Sequence, residues 1–105
     1  MDTERFELRG QKFEWDRSKN LSNIEKHGIT FKSAAQSFFD PDAEVYDDDE
    51  HSFGEERFIL VGFNDKKRIL TVCHCYRGVD ETVTRIISAR KATKYEEKIY
   101  NGEDI

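Results

Sequence analysis

Phe31, Ala34, Ala35, Phe38 and Phe39 fall at i, i+3, i+4, i+7 and i+8, a spacing that lines one side of a helix with a wide apolar stripe. Thr30 ahead of it is a natural N-cap, and Pro41 ends the run because its ring cannot continue a helix. A stripe of this width must be buried, and the following sequence supplies the surface. Residues 57–63 (with Phe58, Ile59, Leu60 and Val61) and 69–76 are nearly continuous apolar runs that read as strands, residues 82–89 read as a third long strand, and 43–46 as a short one. Asn64-Asp65-Lys66-Lys67 and Gly78-Val79-Asp80 are short polar connections, which predict an antiparallel meander.

Upstream, Phe13 and Trp15 alternate with Glu14 and Asp16 as a short strand, and Asp16 can cap a helix over Arg17–His27. Leu21 and Ile24 share its apolar face, and Gly28 stops it. Thr93 with Glu96 is a capping box for a last helix carrying Tyr95, Ile99 and Tyr100. The order β-α-α-β-β-β-β-α predicts an α+β fold with helices packed on a small twisted antiparallel sheet. Residues 1–12 are expected as an N-terminal extension, or as an edge strand through Phe6 and Leu8, and 13–105 as a single domain.

At 105 residues one core is the expectation. Hydrophobic residues make up 36% and charged residues 37%, a polar balance for a folded chain, but eight Phe, four Tyr and one Trp bury large areas per residue. No apolar run is long enough to span a bilayer, and residues 1–10 lack a signal-peptide core, so a cytoplasmic location with no membrane is expected. Cys73 and Cys75 then read as free thiols.

Charge is segregated along the chain. Residues 40–56 hold nine acids and neither Lys nor Arg; setting them aside from the total of −5 leaves the remainder at +4. A polyanion responds to that local field rather than to the sum. Arg77, Arg85 and Arg90 read either as strand-end arginines facing water or as an array on one sheet face that binds phosphates. The turn between their strands predicts that Arg77 and Arg85 lie close together and repel, on the side of Thr71, Cys73 and Cys75. Lys26 and His27 either answer the dipole at a helix C-terminus or supply a general acid or base.

Asp47, Asp48, Asp49, Glu50 and His51, with His74, contain acceptors enough for a metal, yet they fit no calcium loop, and Cys73-His74-Cys75 sends alternate groups to opposite strand faces. No metal or cofactor is therefore expected. The phosphate-loop, dinucleotide and nucleophile-elbow motifs are missing from the sequence.

Three segments together resemble the BrnT toxin family. The first is Phe13-Glu14-Trp15-Asp16 with Lys19, Asn23, Lys26-His27-Gly28-Ile29-Thr30-Phe31, Ala34-Ala35 and Phe39-Asp40-Pro41. The second is Asp47-Asp48 with His51-Ser52-Phe53-Gly54-Glu55-Glu56-Arg57-Phe58, and the third is Tyr76-Arg77, Arg85-Ile86-Ile87-Ser88-Ala89-Arg90, Ala92-Thr93 and Glu96. Residues 1–12 fall outside the likeness, and Arg17 stands where the family often has Pro.

The resemblance implies a RelE-like fold and the toxin of a type II toxin–antitoxin pair: an endoribonuclease that cleaves RNA without metal and inhibits translation. It implies a ribbon-helix-helix antitoxin as partner, with promoter DNA bound only through that antitoxin. By position it points to Lys26, His27, Glu55, Glu56, Arg57, Arg77, Arg85 and Arg90 as catalytic residues. A carboxylate or His would deprotonate the RNA 2′-hydroxyl, arginines would hold the phosphate, and a protonated His or Arg would assist the leaving oxygen. Trp15 is expected either in the core or stacked on a base. The rival readings are an inactive interaction module of the same fold and an RNA-binding domain without cleavage.

Overall fold

The computed structural model describes residues 2–103. The chain opens with a hairpin, β1 (Thr3–Leu8) and β2 (Gln11–Asp16), turned tightly by Arg9 and Gly10, both at positive φ. Helices α1 (Arg17–His27) and α2 (Phe31–Gln36) follow, then β3 (Glu44–Asp47), β4 (Phe58–Phe63), β5 (Ile69–Arg77), β6 (Val83–Lys91) and a last helix α3 (Lys94–Tyr100). Among the described residues these strands form one six-stranded sheet in the order β1-β2-β6-β5-β4-β3.

The expected meander is present from β3 to β6, but the sheet is mixed rather than antiparallel. β2 pairs with β6 in parallel, from Lys12 opposite Val83 to Glu14 opposite Arg85. The physical reason is connectivity. β2 leaves through a helical crossover rather than a hairpin, so it can dock beside the last strand running the same way.

Phe13, Trp15, Phe31, Leu70, Val72 and Ile86 are buried between the sheet and α2. Thr30 caps α2 through Ser33 N–H at 3.1 Å, as its position predicts. The α-helix closes at Gln36, earlier than the stripe suggested, and tightens into a 3-10 turn over Ser37–Phe39. Phe38 and Phe39 still meet Phe13 edge-on, at centroid distances of 5.4 and 6.3 Å. Trp15 is 1% exposed, stands edge-on to Phe31, and donates from Nε1 to Glu4 at 2.8 Å. It belongs to the core and cannot stack on a base.

α1 has the predicted ends, with Asp16 accepting from Ser18 N–H and Gly28 in the left-handed conformation at φ 69°. Its buried face is not the predicted one. Leu21 and Ile24 are 56% and 37% exposed, whereas Asn23 is buried. Past Arg85 no strand among the described residues lies beside the β6 backbone on that edge. The Asn23 side chain stands in for one, donating to Ala89 C=O at 2.8 Å and accepting from Ala89 N–H at 3.0 Å. A hydrogen-bonding demand at an open edge outweighed apolar patterning here.

The β5–β6 ladder carries a bulge. Cys73 faces Ser88 and His74 faces Ile86, so Ile87 is left without a partner. Residues 85 and 90 would lie on opposite faces of a regular strand. With the extra residue between them, Arg85 (opposite Cys75) and Arg90 (opposite Thr71) share one face, the side away from α2.

Candidate active site

That open face collects most of the chemistry-bearing side chains. Cys75, Cys73 and Thr71 alternate along β5 with Arg77 at its end, Arg85, Ser88 and Arg90 come from β6, and Arg57 precedes β4. α3 covers one end, held by Tyr100 O–H donating to Asp40 at 2.5 Å and by the Phe63 ring. A hollow of about 180 Å³ remains between the strands and the acidic segment, lined by Asp48, His51, Arg57, Cys73, Ser88 and Arg90 among others.

The arginines do not repel one another as the sequence suggested, because three of them have carboxylate partners. Arg77 donates twice to Glu55, from Nε and Nη2, both at 3.0 Å. Arg85 pairs with Glu14 at 2.6 Å, and Arg90 grips Glu96 at 2.7 and 3.1 Å. Arg57 makes no ion pair among the described residues.

These pairs differ in how firmly they are held. The Arg77–Glu55 side chains are 45% and 36% exposed, while those of Arg85 and Glu14 are 13% and 15% exposed. The Arg77 guanidinium holds the Glu55 carboxyl below its ordinary range. Burial works against the charge of Glu96, yet the Arg90 guanidinium and the Thr93 N–H outweigh it and leave that carboxyl at about 2. Glu96 also completes the predicted capping box, accepting from Thr93 N–H at 2.8 Å, so Arg90 is tied to the start of α3.

The acidic segment turns one side chain inward. Asp47, Asp49 and Glu50 are exposed while Asp48 is buried, with both carboxylate oxygens 3.0 Å from His51 Nδ1. The Cys73 thiol donates to the same carboxylate at 3.6 Å. Burial, reinforced by the Asp48 charge, pushes that thiol up to about 11, so it remains protonated at neutral pH and is no nucleophile.

The expected site residues are thus divided. Arg57, Arg77, Arg85 and Arg90 come to one face, and Glu55 arrives with Arg77. Glu56 is exposed and lines a neighbouring groove with Glu55, Tyr76 and Glu81. Lys26 and His27 are exposed at the end of α1, line neither hollow, and make no side-chain hydrogen bond to the arginines among the described residues. The histidine that lines the hollow is His51, not His27. Its signal was the Asp-x-x-His spacing inside the acidic run, which the sequence reading weighed only for metal binding. His74 is buried on the other face against Phe38, with Nε2 3.1 Å from Tyr76 Oη, and burial lowers its pKa. Among the described residues no three His, Cys, Asp or Glu side chains converge as a metal cage.

Guanidiniums around a carboxylate-held histidine, on an open sheet face, are the equipment of a protein that handles phosphodiesters. The family described as "Ribonuclease toxin, BrnT, of type II toxin-antitoxin system" matches residues 15–96. The chain belongs to this BrnT family of ribonuclease toxins. The crystal structure of the Brucella abortus ribonuclease toxin BrnT is similar in fold, with a TM-score of 0.57 and 24% identity, over 76% of this chain and 94% of that one. No curated protein matches the sequence.

Proposed function

We propose that this chain is a RelE-like endoribonuclease toxin that cleaves RNA on the arginine face without a metal ion, and thereby inhibits translation in the cytoplasm. The observation that carries the reading is the bulge at Ile87, which sets Arg85 and Arg90 on the face of Arg57 and Arg77. Guanidiniums there hold the scissile phosphate, and their contacts strengthen as charge builds on its oxygens in the transition state. The RNA 2′-hydroxyl is the nucleophile, which leaves a 2′,3′-cyclic phosphate and a 5′-hydroxyl. No helix among the described residues is long and apolar enough to cross a membrane.

The exposed Arg77–Glu55 pair is no obstacle to substrate. An exposed ion pair contributes about 0–1 kcal/mol, so a phosphate displaces Glu55 at little cost. Family membership implies an antitoxin; a ribbon-helix-helix protein that brings promoter DNA to the complex is our proposal for it. A second reading, an interaction module without cleavage, draws on the carboxylate pairing of Arg77, Arg85 and Arg90. Induced expression of the chain alone in a bacterium separates the two. The toxin reading predicts growth arrest with shortened cellular RNA, and unimpaired growth with soluble protein present would favour the interaction module.

A further inference from the structure

The geometry points to Asp48 and His51 as the proton-transfer dyad of the open face. Asp48 is the positioning residue, and His51 takes the 2′-hydroxyl proton on Nε2. This inference rests on the ribonuclease reading and adds to it the identity of the base.

Three observations converge on it. Both Asp48 oxygens lie 3.0 Å from His51 Nδ1, and an ionised carboxylate only accepts, so Nδ1 carries the hydrogen and neutral His51 presents Nε2 as a bare acceptor. The exposures are unequal: the Asp48 side chain is 8% exposed and that of His51 59%. The carboxylate is therefore shielded from water while the imidazole can reach a substrate. Finally, the segment is clamped. Asp48 N–H donates to Arg57 C=O at 2.9 Å, Ser52 Oγ donates to Asp48 C=O at 2.8 Å, and Arg57 N–H donates to Ser52 Oγ at 3.0 Å. The same clamp ties the segment that carries His51 to the backbone of Arg57, whose side chain also lines the hollow.

The step balances as follows. The 2′-oxygen forms a bond to phosphorus as its proton passes to His51 Nε2, and the bond from phosphorus to the 5′-oxygen breaks. Water protonates the departing oxygen, and the hydroxide so formed recovers the proton from the imidazolium. Asp48 stabilises the imidazolium between these events. The charged or titratable groups facing His51 across the hollow are Asp48, Arg57 before β4, Cys73 on β5 and Arg90 on β6.

Cleavage of a defined RNA by the full chain, measured as kcat and KM separately, tests the dyad alongside nitrogen NMR of the imidazole. His51→Ala is expected to lose about 10²-fold or more. Asp48→Asn keeps the acceptor but loses the charge that stabilises the imidazolium, so kcat drops while KM for the RNA holds. Ser52→Ala, which loosens the loop without touching the imidazole, leaves the tautomer in place. In the wild-type chain His51 should be the Nδ1–H tautomer, the less common one for free imidazole. His51→Ala with undiminished cleavage, or a wild-type Nε2–H tautomer, would overturn the dyad. Should Asp48→Asn fail to fold, the wild-type tautomer and the exposed His51→Ala site still decide. An Nδ1–H tautomer in a wild-type chain that cuts no RNA would overturn the ribonuclease reading and leave the pairing standing.

Discussion

Arg57 and Arg77 carry the same charge on the same face under different constraints. Arg77 shares its guanidinium with Glu55, whereas Arg57 makes no ion pair among the described residues and lines the hollow beside His51. Arg57→Ala is expected to reduce RNA cleavage by roughly 10²-fold, the loss typical of one preorganised transition-state contact. Its melting temperature should hardly move, because no partner is stranded. Glu55→Gln gives the opposite signature: a freed Arg77 binds RNA more tightly in a filter-binding titration, and cleavage survives. Loss of cleavage in Glu55→Gln, with the fold intact, would make Glu55 a catalytic base and displace His51. The arginines were legible in the sequence as residues, but their pairing was not, because Glu14 and Glu55 lie 71 and 22 positions away from their partners. Glu96 offers a pH test of such a pair. Its folded carboxyl sits at about 2, below the ordinary 4.5. The stability it contributes is thus present above about 4.5 and is lost as pH falls through about 2. Chemical denaturation should find Glu96→Gln less stable than wild type at neutral pH, with the difference closing towards pH 2.

Helix α1 shows which parts of an element a local pattern specifies. Its ends followed from Asp16 and Gly28, since caps are local chemistry. Its buried face did not follow from Leu21 and Ile24, because the demand that turned Asn23 inward comes from β6, 66 residues on. Asn23→Ala leaves the N–H and C=O of Ala89 unsatisfied, at about 1–3 kcal/mol for each group. We expect a loss of at least about 2 kcal/mol by urea unfolding, against about 0.5 kcal/mol or less for the exposed Leu21→Ala. Equal effects of the two substitutions would show that the amide is not what fastens α1 to the sheet. The bulge left only a faint trace in the sequence. Buried positions on β6 run Thr84 and Ile86 and then switch parity to Ala89, across the doubled Ile86-Ile87. Apolar runs and short turns specified the meander, while the parallel docking of β2 depends on contacts no local pattern encodes.

Across the whole molecule the two faces of the sheet divide the labour. One buries the aromatic core under α2, and the other stays open for arginines and the clamped His51. The acidic run that dominates the net charge is partly absorbed into this arrangement, since Asp48 orients a histidine and Glu55 holds an arginine. The chemistry proposed for the open face calls on no cation, and that is open to a direct test. The decisive measurement is cleavage of an end-labelled RNA by the purified chain in excess EDTA, with the product termini identified and Arg57→Ala run in parallel. We predict that wild-type cleavage persists, that the products end in 2′,3′-cyclic phosphate or 3′-phosphate, and that the variant is strongly impaired. Cleavage abolished by EDTA and restored by a divalent cation, or no cleavage under any condition, would contradict it.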